Sequence, residues 1–90
     1  MSERGTFEIV NDRGLHARAA TKLVQLASSF VAEVELEKDG QRANAKSVMG
    51  VLLLCGAKGT RVSVIADGED AAQAVDAIGA LIAARFGEES

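Results

Sequence analysis

Side chains able to do chemistry are few in this sequence. His16 is its one imidazole and Cys55 its one thiol, and it has no Tyr or Trp. Acid, base or nucleophilic imidazole chemistry therefore falls to His16, and an ordinary imidazole is substantially unprotonated near neutral pH. His16 lies in Gly14-Leu15-His16-Ala17-Arg18, where a strand hands over to a helix. Backbone N–H groups at a helix start have no intrahelical acceptor, and the positive end of the macrodipole is there, so the position attracts anions. A phosphoryl group on the ring would be held by the N–H groups of Ala17 and Arg18 and by the forked guanidinium of Arg18. Gly14 permits the tight backbone approach that exposes the ring. The same spacing also fits an exposed helix-start histidine with a surface arginine beside it, so the residues alone leave both readings open.

Ser47, ahead of Val48-Met49-Gly50, reads as a helix N-cap, a role worth about 1 kcal/mol. Val48, Met49, Val51, Leu52, Leu53 and Leu54 are more apolar residues than a short helix can bury on one face. Val51 and Leu54 are assigned to the core and some of the others to solvent. Cys55, closing that apolar run, reads as a small buried hydrophobe. One Cys and one His fall short of a zinc ligand set, and Glu33, Glu35 and Glu37 alternate along a strand without converging on a cation. No metal site is expected. Lys58-Gly59-Thr60 lacks the upstream glycine spacing of a phosphate-binding P-loop, so no nucleotide or other cofactor is expected either.

The elements that must position these residues follow from periodicity. Thr6–Val10 reads as a first strand and Asn11–Gly14 as a turn. Ala20, Leu23, Val24, Ala27 and Phe30 recur at helical spacing from Ala17 onward. Ala32, Val34 and Leu36 alternate with Glu33, Glu35 and Glu37, placing three carboxylates on a solvated strand face. Asp39-Gly40 is a hairpin signal returning the chain through Gln41–Ala45. A short helix over Ser47–Leu54, a loop over Cys55–Gly59 and a strand over Arg61–Ala66 follow. Glu69–Phe86 reads as the longest helix, with acidic residues compensating the dipole at its start and Gly87 just past its end. Glu88–Ser90 is expected to fray. The order is βαββαβα: an α+β, two-layer open-faced sandwich, with a four-stranded antiparallel sheet and three helices on one face.

Composition bounds the rest. Ninety residues form one domain, 1–90, and 48% hydrophobic content can fill one modest core. A net charge of −3 argues against a nucleic-acid binder, which needs clustered cations. The start carries mixed charges and no apolar core, so no signal peptide is expected. The longest apolar run, Val48–Ala57, is about half a membrane span, so no membrane insertion is expected. A lone cysteine fits a reducing, cytoplasmic setting.

Gly-Leu-His-Ala-Arg-Ala-Ala over 14–20, Asn-Ala-Lys-Ser-Val-Met-Gly-Val over 44–51 and Ala-Lys-Gly-Thr over 57–60 resemble the HPr phosphocarriers of the bacterial phosphoenolpyruvate-dependent phosphotransferase system, over nearly the whole chain. The resemblance implies a carrier without independent turnover. His16 would accept a phosphoryl group on Nδ1 from phosphorylated enzyme I and pass it to an enzyme IIA-type acceptor, in sugar uptake or a regulatory phosphorelay. Arg18 would be its charge partner. Val48, Met49 and Leu52 would form the docking patch beside it, and the chain would act as a monomer. Ser47 would be the target of an ATP-dependent HPr kinase, which allows an alternative in which the chain is a regulatory binding module controlled at Ser47. One residue departs from the family pattern: His-x-Arg-Pro-Ala is usual, and Ala19 stands at the proline position. Few basic residues ring the patch, Lys22 being accompanied by Gln25 and Ser28.

Overall fold

A computed structural model describes residues 1–90. Strands β1 (Ser2–Glu8), β2 (Glu33–Lys38), β3 (Gln41–Asn44) and β4 (Arg61–Asp67) alternate with helices α1 (Ala17–Ser28), α2 (Val48–Leu53) and α3 (Ala71–Ala83), and a 3-10 turn at Arg85–Gly87 follows α3. The expected βαββαβα order holds. The sheet runs β1-β4-β2-β3 with every pairing antiparallel, and the helices cover one face. Period-two patterning directs Val34, Leu36, Val62, Val64 and Ala66 beneath the helices, where all are buried. Asp39 and Gly40 both take positive φ, 51° and 81°, as a two-residue hairpin demands.

The open face carries the carboxylate stripe, and it is paired as well as solvated. Arg4 Nη2 lies 2.6 Å from Glu37, and Arg42 bridges Glu35 at 3.2 Å and Glu37 at 3.0 Å. Hydrogen bonds from Arg4 and then Arg42 hold the Glu37 carboxyl below the usual carboxylate range.

Beyond shifts of one residue, three boundaries differ from those predicted. β1 covers Ser2–Glu8 instead of Thr6–Val10, because the polar opening residues pair along an edge, Ser2 opposite Asp67 and Glu8 opposite Arg61. Ile9 leaves that ladder, is fully buried, and exchanges backbone bonds with Thr60 O (2.9 Å) and Gly59 N (2.7 Å). At the start of α3, the Asp70 side chain does not cap its own helix. Its two oxygens accept from Val31 N (2.9 Å) and Ala32 N (2.8 Å), which lowers its pKa and pins the α1–β2 loop.

The third difference matters most for function. α3 stops at Ala83 and does not run to Phe86, because Arg85 and Phe86 turn left-handed at φ 58° and 54°. That backbone costs about 1–2 kcal/mol per residue. Phe86 is 0% exposed, and burying such a ring stabilises by roughly 1.5–3 kcal/mol, so burial alone does not clearly outweigh the strain. The remainder comes from polar ties: Lys22 Nζ donates to Phe86 O at 2.6 Å, Gly87 N to Ala84 O at 3.0 Å and Glu88 N to Arg85 O at 2.9 Å. The turn redirects the C-terminal residues toward the start of α1. No helix is long and apolar enough to cross a membrane.

Candidate functional site

The chain between β1 and α1 is held by one buried amide. Asn11 is 0% exposed, and its Nδ2 donates to Gly14 O at 2.9 Å while Gly14 N donates to Asn11 O at 3.1 Å. Gly14 has φ 64°, and a Cβ there would collide with Gly56 O. Leu15 N donates to that same carbonyl at 2.8 Å, so the turn is fastened to the loop after α2 and only glycine fits it.

His16 is thereby fixed as the N-cap of α1, with φ −74° and ψ 177°, yet its side chain makes no capping bond. Its carbonyl accepts from Ala20 N at 2.8 Å, the first turn's own bond, while the N–H groups of Ala17, Arg18 and Ala19 donate to no protein acceptor. Those donors are the ordinary orphans of a helix start. Ala19 is fully buried. The backbone donor that a proline would have removed is thus present and unused.

The His16 side chain is 23% exposed, and its two nitrogens differ. Nε2 contacts Glu88 Oε2, while the other carboxylate oxygen, Oε1, accepts from Asn11 Nδ2 at 3.0 Å. Nδ1 has no hydrogen bond, and it is not enclosed: the one enclosed side-chain polar atom lacking a partner is Asn11 Oδ1. Hydrogen bonds from His16 first and Asn11 second hold the Glu88 carboxyl below the usual range. Beside this pair, Arg13, Arg18 and Lys22 border an open groove of about 510 Å³. Arg13 and Arg18 are exposed and enter no ion pair; the charge of Arg13 adds to holding Glu88 low, whereas that of Arg18 is uncommitted. Lys22, counted from sequence among the cations around the docking patch, is half-buried and bonded to Phe86 O.

The structure brings His16, Arg18 and the Ala17 and Arg18 N–H groups together at one helix start. Ser47 lies apart from them, at the start of α2, where its Oγ accepts from Gly50 N at 3.1 Å as the N-cap reading expects. Val51 and Leu54 are buried, Val48 and Leu52 partly buried, and Met49 and Leu53 exposed at 66% and 69%. Cys55 departs from its predicted burial. It follows the C-cap of α2 in a left-handed conformation, φ 54°, which turns its thiol to the surface.

Two site residues escaped sequence reasoning. Asn11 read only as a turn former, and Glu88 as part of a frayed end. Glu88–Ser90 is instead tied down, by Glu88 to His16 and Asn11 and by Ser90 O accepting from Asp12 N at 3.1 Å. The available signal was Phe86: a large aromatic ring this near the end of the sequence finds burial only by anchoring the residues around it.

Known proteins share the family and the fold. The family model described as the PTS HPr component phosphorylation site matches residues 3–84. A phosphocarrier protein HPr from Cupriavidus necator is 49% identical over 88 residues, 98% of each chain, and one from Neisseria meningitidis serogroup A is 47% identical over 83 residues, 92% of this chain and 93% of its own. The crystal structure of an HPr from Thermoanaerobacter tengcongensis superimposes with a TM-score of 0.94 at 43% identity, covering 98% of this chain and 99% of that one. With the motif residues gathered at one helix start and the match spanning nearly the whole sequence, the chain belongs to the HPr phosphocarrier family of the phosphotransferase system.

Proposed function

We propose that His16 Nδ1 accepts a phosphoryl group from phosphorylated enzyme I and delivers it to an enzyme IIA-type acceptor, in the cytoplasm and without turnover of its own. The observation that carries this reading is the asymmetry of the ring: Nε2 is engaged by Glu88, while Nδ1 has no hydrogen bond and is not enclosed. In the forward step the Nδ1 lone pair attacks phosphorus and a P–N bond forms. The bond from phosphorus to the donor's leaving atom breaks, and that atom keeps the electron pair. Phosphoryl oxygens would then take the N–H groups of Ala17 and Arg18, which have no other acceptor, and the uncommitted Arg18 guanidinium. Delivery is the same step in reverse on a different partner, so a carrier needs a site that binds phosphoryl without trapping it. Ala19 leaves the donors of the first turn intact, and transfer persists without the proline.

Docking is assigned to Val48, Met49 and Leu52. Exposure of Met49 supports this, since a flexible thioether adapts to more than one partner. Ser47 is the second modification site proposed. A phosphate there would replace the Oγ cap but could still accept from Gly50 N, leaving α2 formed and its partner-facing surface more negative.

Labelling tests the main reading. Incubation with enzyme I and labelled phosphoenolpyruvate should give an acid-labile label that is absent from His16→Ala. An unlabelled wild-type chain beside a competent enzyme I, or label persisting in His16→Ala, would contradict it.

A further inference from the structure

Resting on that reading, we propose that Glu88 is a positioning residue for phosphoryl transfer, acting through the Nε2 side of the His16 ring, and that the turn at Arg85–Gly87 exists to deliver it. An ionised carboxylate can only accept hydrogen bonds, so its contact with Nε2 requires the ring proton to sit there. The neutral ring is thereby held as the tautomer whose lone pair is on Nδ1, the atom left open. The other tautomer would place the proton on Nδ1 and extinguish its nucleophilicity. As the P–N bond forms, the ring gains positive charge, and the carboxylate on its far side lies where it opposes that charge.

The carboxylate is itself held from behind. Asn11 Nδ2 donates to Glu88 Oε1 at 3.0 Å and to Gly14 O at 2.9 Å, so one fully buried amide sets both the turn leading into His16 and the group behind its ring. Glu88 reaches this place only because Phe86 is buried and Lys22 Nζ holds its carbonyl. Arg18 lines the same groove without pairing with Glu88, which leaves its guanidinium for the arriving anion, while the charge of Arg13 helps hold the Glu88 carboxyl ionised.

The test compares wild type, Glu88→Ala, Glu88→Gln and, as a control, Glu69→Gln, which removes an exposed charge just ahead of α3, outside the groove. Two quantities are read on each: the rate of phosphoryl transfer from enzyme I, and the ¹⁵N-coupled imidazole Nε2–H proton resonance, which a hydrogen bond shields from exchange. Glu88→Ala should slow transfer roughly tenfold to a hundredfold, the range seen when a residue orienting a reactive ligand is removed, and should abolish the resonance. Glu88→Gln keeps one acceptor without the charge and falls between; being isosteric, it also keeps the test valid if Glu88→Ala folds poorly. Glu69→Gln should match wild type in both. Normal labelling of wild type with Glu88 variants equal to it in rate, or with an unchanged resonance, would overturn the positioning role alone. Failure of wild type to accept phosphoryl would overturn the carrier reading and this inference with it.

Discussion

The starts of α1 and α2 face the same physical problem and meet it differently. At α2, Ser47 turns its hydroxyl back onto Gly50 N and caps its own helix. At α1, His16 occupies the equivalent position, makes no capping bond and leaves three backbone donors unclaimed. Its ring is held instead by Glu88, from a distant part of the sequence. The helix that caps itself gains stability locally, whereas the uncapped one leaves its first donors without a protein acceptor. α3 also lacks a side-chain cap, because Asp70 turns its oxygens to the α1–β2 loop; at α1 the uncapped start coincides with the single histidine.

The largest effect on the folded state should come from Phe86→Ala. Removing this fully buried ring should cost about 3–5 kcal/mol in denaturant unfolding and release Glu88 from His16, so that the Nε2–H resonance disappears. Persistence of that resonance in a chain that still folds would mean that the C-terminal residues do not depend on their aromatic anchor. Next in size are the caps themselves. Ser47→Ala should cost about 1 kcal/mol and leave labelling of His16 intact, while His16→Ser should be more stable than His16→Ala by a similar amount because it closes α1 as Ser47 closes α2. If the serine confers nothing at position 16, the two helix starts differ in more than their caps.

The smallest expected effect is a pH dependence. The Glu88 carboxyl is lowered in the folded chain, so its contribution is present above the ordinary carboxylate value and is lost as pH falls through the lowered one. Melting of wild type and Glu88→Gln should therefore differ at neutral pH and converge in strong acid. A difference that widened in acid would have the wrong sign.

Much of the architecture was legible because it is written in local pattern. Alternation placed Val34, Leu36, Val62 and Val64 in the core, Asp39-Gly40 announced its hairpin, and Ser47 announced its cap. His16 and Arg18 were legible as a pair because a helix start is itself a local feature. Glu88 was not, since its partners His16 and Asn11 lie almost the length of the chain away and no periodicity records such a contact. Nor was the end of α3, where Arg85 and Phe86 adopt a left-handed backbone that neither residue prefers and that only tertiary burial makes tenable. Cys55 failed for the related reason that its positive φ, not its apolar neighbours, decides where its thiol points.

The central claim is that one face of the His16 ring is held and the other reacts. Phosphorus–nitrogen coupling in the ¹⁵N-labelled chain, recorded after incubation with enzyme I and phosphoenolpyruvate, tests it directly. Phosphorus should be bonded to Nδ1 of His16 with Nε2 still carrying its proton; phosphorus on Nε2, or on any other residue, would overturn the assignment.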